Sequence, residues 1–122
     1  MKDDDDIVYR RIRPDWVKSF DPLALKSIAF QNLEEDNMSG HLGSILKEHQ
    51  IPPESLLEGL DGYGLVWISV KELQEFGQEV VPHLDDENDP AHIHVVGKKN
   101  TGTKRRMAKA ASQNVLVLPE KQ

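Results

Sequence analysis

The feature that most constrains this chain is the brevity of its apolar runs, each of which lies within two residues of a proline or a glycine. Five of these runs are rich in aliphatic and β-branched side chains, which is typical of short strands. They are Ile7–Ile12 and residues 65–69, 79–81, 91–96 and 115–118. Runs of this length predict several short paired strands rather than one long element.

Helix signals lie between these runs. Ser39 and Thr103 are placed to cap helices, and Ser69 with Glu72 has the spacing of a capping box. Gly77 follows the third helix at the position where glycine commonly ends one. The predicted helices span residues 40–49, 53–60, 70–76 and 104–113.

These elements predict an α+β fold with a four- to five-stranded mixed sheet and three to four short helices. The chain has 122 residues, the usual size of one domain. We therefore predict a single domain over residues 7–122, preceded by a disordered acidic tail at residues 1–6, where Asp3 to Asp6 repel one another.

The composition bears on location and chemistry. There is no cysteine, which excludes disulfides, thiolate metal sites and a cysteine nucleophile. No run approaches the roughly 20 apolar residues that a membrane span needs. The first residues are acidic and have no apolar segment of the kind found in secretory signals. These features predict a cytoplasmic protein that does not associate with membranes.

Charge is distributed unevenly along the chain. Residues 98–122 hold 7 basic and 1 acidic side chains, whereas residues 1–97 hold 8 basic and 20 acidic ones. Such asymmetry predicts either an anionic partner or docking onto the acidic part of the same chain. The candidate anion- or partner-binding residues are Arg11, Lys98, Lys99, Lys104, Arg105 and Arg106.

Three of these residues, Lys104, Arg105 and Arg106, are predicted at the start of the last helix. Cations are disfavoured at that end of the helix dipole, so local stability does not explain them. Nucleic acid is disfavoured as the partner, because the sequence pI is about 5.3 and no aromatic residue interleaves the basic run. A protein partner is favoured, with a nucleotide or phosphate ligand as an alternative.

His92 and His94 alternate on a predicted strand, so both imidazoles face the same side. With His83 they are candidates for a metal site, although a plain polar strand face is the simpler interpretation and no cofactor is predicted. His92 alone is the candidate catalytic residue, as a base or nucleophile.

A glycine loop follows the histidines and runs from Gly97 to Gly102. The order of strand, loop and helix suits anion binding. The spacing resembles a P-loop, but Thr103 and Lys104 stand in reversed order, and no strand with the features of a Walker B motif follows. The loop is therefore a candidate phosphate contact.

The nine residues from Ala91 to Lys99 resemble part of the signature of histidine-triad nucleotide hydrolases. That resemblance implies a nucleophile at His92 and a phosphate contact at His94. Pro90 stands where the first histidine of the signature would be, and the upstream chain does not match.

The whole chain resembles an uncharacterised family of small bacterial proteins. The matching segments are Tyr9-Arg10-Arg11-Ile12, Ser27-Ile28-Ala29-Phe30, Met38-Ser39, Gly62-Tyr63-Gly64-Leu65, Gly77-Gln78-Glu79-Val80-Val81, Asp89-Pro90-Ala91-His92, Gly97-Lys98-Lys99 and Arg105-Arg106-Met107-Ala108. The resemblance implies a bacterial, intracellular origin and transfers no catalytic residue. His92 belongs to the family's pattern and His94 does not.

The sequence contains no complete catalytic set of residues, which favours a non-catalytic protein. The leading hypothesis is a bacterial cytoplasmic interaction or accessory protein that docks an acidic partner through its basic C-terminal helix. The first alternative is a nucleotide- or phosphodiester-binding protein or hydrolase that uses His92 and the loop from Gly97 to Gly102. The second is a metal-binding regulator that uses His83, His92 and His94.

Overall fold

The structure is a computed structural model that describes residues 6–31, 37–82 and 89–120. Within this part of the chain, eight strands form two sheets, and three α-helices and three short 3₁₀ helices connect them. The strands are β1 (Ile7–Ile12), β2 (Val17–Phe20), β3 (Leu23–Leu25), β4 (Asn37–Leu42), β5 (Gly64–Ser69), β6 (Glu79–Pro82), β7 (His92–Val96) and β8 (Val115–Val117). The α-helices are α1 (Gly43–Glu48), α2 (Val70–Glu75) and α3 (Thr101–Ser112), and the 3₁₀ helices are Pro14–Trp16, Ser27–Phe30 and Pro53–Leu57.

The larger sheet has six strands in the order β6-β7-β4-β1-β5-β8, and each neighbouring pair is antiparallel. The predicted α+β class is confirmed. The predicted mixed sheet of four to five strands is wrong in both strand number and direction. The β2–β3 hairpin, which was not predicted, forms a second, separate sheet.

Strand β4 is the sixth strand of the larger sheet, and it was not predicted because its residues were expected to start a helix capped by Ser39. β4 lies inside the sheet and pairs with both β1 and β7. Gly40 permits this position, since a Cβ there would lie 2.6 Å from Val8 Cγ1. Pairing along both edges satisfies the backbone of this segment and overrides the helical spacing that Leu42 forms with Ile45 and Leu46. The helix begins only at Gly43.

Helix α1 begins beside Asp6, whose carboxylate accepts hydrogen bonds from the Ser44 amide at 2.9 Å and the Ile7 amide at 2.8 Å. Asp6 is buried, although the sequence placed it in the acidic tail. The other residues of that tail, 1–5, lie outside the described residues. Asp6 therefore joins the start of β1 to the start of α1.

The predicted cap at Ser69 is confirmed, and the predicted cap at Thr103 is wrong. Ser69 Oγ accepts the Glu72 amide at 3.0 Å, and Gly77 has the positive φ of +79° that favours glycine after a helix. Helix α3, however, is capped by Asn100, whose side chain accepts the Thr103 amide at 2.8 Å. Lys104 is therefore the fourth residue of α3, at the end of its first turn, and Arg105 and Arg106 lie in the second turn, where the helix dipole disfavours cations much less.

The two faces of the larger sheet are covered differently. On one face, α3 and the helix Ser27–Phe30 pack into the main core, which contains Met107, Ala111 and Phe30 beside Val66 and Ile93. Small side chains on α3 allow this close packing. Tyr9 and Leu65 belong to the opposite face, over which α1 and the helix Pro53–Leu57 lie.

Arg10 is a buried cation within the main core, at 9% exposure. Its Nε and Nη2 donate to the carbonyl of Ala29 at 3.2 and 3.0 Å, and its Nη1 donates to the carbonyl of Ser39 at 2.7 Å. The guanidinium also lies 5.4 Å from the ring centroid of Trp16. Burial, and secondarily the neighbouring Arg11, lowers the pKa of Arg10 to about 10, so it remains charged at neutral pH.

We expect Arg10→Ala to lower the free energy of unfolding by about 3 kcal/mol or more, because two buried carbonyls lose a charged donor. Urea denaturation followed by circular dichroism measures this. Arg11→Ala is the matched control, since the Arg11 side chain is exposed and its removal should change stability by less than about 0.5 kcal/mol. Equal effects of the two substitutions would contradict the role assigned to Arg10.

Candidate functional site

A groove with a volume of about 710 Å³ lies between α3 and the β2–β3 hairpin. Four cationic side chains line it: Lys18 and Lys26 on the hairpin side, and Arg105 and Lys109 on α3. Leu23, Leu25 and Ala108 are among its apolar lining residues. No carboxylate is among the described residues that line it, so the groove is a basic surface with an apolar part.

The elements place these cations for simple geometrical reasons. Arg105 and Lys109 are four residues apart on α3, so they share one side of the helix. Val17 pairs with Leu25 across the hairpin, and Lys18 and Lys26 are the residues that follow this pair. Both walls therefore present two cations each.

The four groove cations have no acidic partner within residues 6–31, 37–82 and 89–120, where no ion pair involves them. All four side chains are exposed, and Lys26 Nζ donates to the backbone carbonyl of Asp15 at 2.9 Å. Like charges four residues apart on a helix repel each other by a few tenths of a kcal/mol. The groove thus gathers positive charge that the described part of the chain does not neutralise.

Of the six predicted binding residues, Arg105 alone lines this groove. Lys104 and Arg106 are on α3 but are not among its lining residues, and Lys98 is exposed in the loop before α3. Arg11 follows Arg10 on β1, so its side chain is on the face of the sheet opposite α3. Lys99 turns back onto its own loop, where Nζ donates to the carbonyls of Val95 and Gly97 at 3.0 Å each.

The glycine loop is closed by Gln78. Gly97 has a φ of +152°, and a Cβ on it would lie 2.7 Å from Gln78 Oε1. The Gln78 side chain is buried there and donates to the carbonyl of Lys98 at 3.1 Å. At the other end of the loop, the Asn100 side chain accepts a hydrogen bond from the Thr103 amide. These contacts give the loop a structural role in joining β7 to α3.

This role predicts opposite outcomes at the two ends of the loop. Gly97→Ala should lower the free energy of unfolding by about 2 kcal/mol, because the new methyl group meets Gln78 in a strained conformation. Gly102→Ala is the control, since its nearest contact would be 3.5 Å away and alanine favours helix. Thermal unfolding of both variants measures this, and a destabilised Gly102→Ala with an unchanged Gly97→Ala would contradict it.

The histidines form a separate cluster on the face of the sheet away from α3. His92 and His94 share that face as predicted, with ring centroids 5.3 Å apart. His41, directly opposite His92 on β4, joins them with its centroid 5.7 Å from that of His92. His41 is buried, and its Nε2 lies 2.7 Å from Asp89 Oδ2.

The structure separates His92 from the basic residues of α3, and it does not assemble the predicted metal site among the described residues. His92 and Arg106 are on opposite sides of the sheet, because Ile93 of β7 and Met107 of α3 both point into the core between them. His83, the third residue of the metal hypothesis, lies outside the described residues. Among the residues that are described, no group of three histidine, aspartate or glutamate side chains is arranged to hold a metal ion.

A second cavity, of about 660 Å³, lies beneath α1 and is lined by Asp6, Tyr9 and Lys47 among others. Burial raises the pKa of the Tyr9 phenol, and Glu54 and Asp6 raise it further. Tyr9 therefore stays neutral at physiological pH. The described residues that line this cavity do not include several like charges, as those of the groove do.

Sequence reasoning missed both Lys18 and Lys26 as site residues, and it missed His41. Lys109 could have been recognised as a site residue, because it lies four residues after Arg105 and so shares one side of the helix with it. The two lysines of the hairpin become neighbours of α3 only through tertiary packing. His41 was concealed because its strand was assigned to a helix.

Comparison with known proteins finds no match: no family model fits the chain, and no curated protein or solved structure is significantly similar to it. The resemblance to a bacterial family therefore stays a prediction. In the described residues, no helix has the length and apolarity to cross a bilayer.

Proposed function

We propose that this protein is a non-catalytic interaction protein that docks an acidic segment of a partner protein in the groove between α3 and the β2–β3 hairpin. The single observation that carries the proposal is the convergence of Lys18, Lys26, Arg105 and Lys109 around one groove without a carboxylate among its described lining residues. The bacterial cytoplasmic setting is part of the proposal and comes from the sequence.

Electrostatics supports an acidic partner of limited size. Four cations around a concave surface raise the local potential and attract carboxylates. The chain as a whole carries a formal charge of −6, which repels a long polyanion. No aromatic side chain is among the described groove residues, so the stacking that single-stranded nucleic acid uses is not provided there.

The apolar part of the groove supports a protein partner over a small anion. Leu23, Leu25 and Ala108 give apolar contact area between the charged walls. Partner interfaces commonly combine a buried apolar centre with a polar rim. A free phosphate would use the cations but not this surface.

The test is a charge reversal with a matched control. Arg105→Glu with Lys109→Glu should weaken binding of acidic peptides on the order of tenfold or more, about 1.4 kcal/mol. Arg11→Glu with Lys71→Glu makes the same change in net charge at exposed residues outside the groove and should change binding little. Fluorescence anisotropy with a panel of labelled acidic dodecapeptides, and with a dodecamer of deoxythymidine, measures both pairs.

The proposal fails if no acidic peptide of the panel binds, or if both pairs weaken binding equally. Tighter binding of the oligonucleotide than of every peptide would also overturn it. Binding through the groove should fall as salt is raised, because the contacts are partly screened at exposed sites.

A second candidate function is phosphodiester or nucleotide chemistry at His92. The observation that favours it is the neighbouring His41, whose contact with Asp89 orients one imidazole beside another. A histidine held by a carboxylate is a recurring element of acid–base catalysis. The basic groove contributes nothing to this site, because α3 is on the other side of the sheet.

Nucleotide binding at His92 should raise thermal stability, since a ligand at 100 times its dissociation constant adds about 2.7 kcal/mol. His92→Ala should abolish the shift, and His49→Ala should keep it because His49 is exposed at the end of α1. A thermal shift assay with a panel of nucleotides measures this. The absence of a shift with every nucleotide would remove this candidate.

A further inference from the structure

The cavity beneath α1 combines apolar walls with a buried carboxylate. Gly43 lets α1 lie directly on β1, since a Cβ there would be 2.8 Å from Ile7 Cγ1. The volume of the cavity, about 660 Å³, is typical of sites that hold a small organic molecule. Its apolar lining residues are Ile7, Leu46, Ile51, Pro52 and Pro53.

Asp6 supplies the buried carboxylate, at 7% exposure. Its Oδ1 accepts hydrogen bonds from the amides of Ile7 and Ser44 at 2.8 and 2.9 Å, and its Oδ2 accepts one from the Ser44 hydroxyl. A carboxylate has about four acceptor positions, so one position on Oδ2 is left for a further donor. Among residues 6–31, 37–82 and 89–120, no cationic side chain forms an ion pair with Asp6.

The open position on Oδ2 belongs to the larger of two cavities beside Asp6. Ser44, whose hydroxyl bonds Oδ2, lines the larger cavity and is not among the described residues of the smaller one, which has a volume of about 270 Å³. That smaller volume is below the range of sites for organic ligands. A ligand therefore reaches the carboxylate from the cavity beneath α1.

Tyr9 lines the same cavity, and its charged surroundings are negative. Burial is the main cause that raises the pKa of the Tyr9 phenol, and the carboxylates of Glu54 and Asp6 raise it further. Both charged causes are acidic, so the potential at the phenol favours a cation. An aromatic ring in a binding site also attracts an ammonium group through the negative charge of its π face.

Lys47 is the one cation among the described lining residues, and its effect is the weaker one. The Lys47 side chain is exposed, so water and salt screen its charge. The carboxylate of Asp6 is buried and is screened much less. The cavity therefore favours a positive ligand over a negative one.

From these contacts we infer that the cavity beneath α1 binds a small organic ammonium ion. The nitrogen of the ligand donates to Asp6 Oδ2, and its apolar body packs against Leu46 and Ile51. A carboxylate gives an ammonium group a charge-assisted hydrogen bond, and the apolar walls bury the rest of the molecule. This site is independent of the groove, because Tyr9 points away from the core on which α3 packs.

The probes are tryptamine, tryptophol and indolepropionate, which share an indole ring and a two-carbon chain. They end in an ammonium, a hydroxyl and a carboxylate group. We expect tryptamine to bind about fivefold more tightly than tryptophol, because a charge-assisted hydrogen bond is stronger than a neutral one, and indolepropionate to bind weakest. Heteronuclear NMR titrations measure all three, and the largest shifts should be those of the Ile7, Ser44 and Leu46 amides.

Lys47→Glu tests the charge of the cavity at an exposed residue, and Lys98→Glu is the matched control at an exposed residue outside it. Lys47→Glu should tighten tryptamine binding about twofold or more, since an attractive charge replaces a repulsive one, whereas Lys98→Glu should leave it unchanged. Asp6→Asn should remove the preference for tryptamine over tryptophol, and circular dichroism checks its fold. The Lys47 pair decides the question if Asp6→Asn does not fold.

Equal binding of tryptamine and tryptophol, tighter binding of indolepropionate, or no binding of any probe overturns the inference. Largest shifts outside the cavity, or equal effects of Lys47→Glu and Lys98→Glu, also overturn it. The same holds if Asp6→Asn folds and keeps the preference for tryptamine. The docking proposal for the groove is tested separately, with acidic peptides.

Discussion

The buried guanidinium of Arg10 is the interaction on which the arrangement of this fold depends. It joins three segments that are distant in the sequence, because it sits on β1 and donates to carbonyls of Ala29 and Ser39. Ala29 belongs to the helix Ser27–Phe30, which packs against α3 and follows directly after β3. The same cation therefore joins the central sheet to the helix Ser27–Phe30, which contacts α3.

Arg10 is held by carbonyl dipoles and by the face of Trp16. Such an arrangement keeps a charged group in the core by satisfying its donors, at a desolvation cost that lowers its pKa. Carbonyls cannot change their protonation state, so the geometry around Arg10 is insensitive to pH in the physiological range.

The elements that sequence reasoning found are those with local determinants. β1, the capping box of Ser69 and Glu72, and the glycine after α2 each depend on residues close together in the chain. β4 was missed because Leu42, at its end, continues a helical spacing with Ile45 and Leu46, whereas the strand is fixed by pairing with β1 and β7. The start of α3 was misplaced by a few residues because Asn100 and Thr103 are both good caps.

The groove could be predicted only in part, because it too depends on contacts between segments that are distant in the sequence. The basic helix and Arg105 were apparent from composition, but the contribution of Lys18 and Lys26 follows from the packing of the hairpin beside α3. Arg105 lies in the second turn of α3, beyond the strongest part of the helix dipole, and it lines the groove together with Lys18 and Lys26.

The hydroxyl of Ser112 has a consequence for the behaviour of the protein at high concentration. An exposed strand edge is a template on which copies of a chain stack without limit. By bonding the Leu25 amide, a side chain of the same molecule occupies an outward-pointing backbone donor of β3. A second copy of the chain therefore meets an amide that is already bonded, which opposes edge-to-edge stacking of the hairpin.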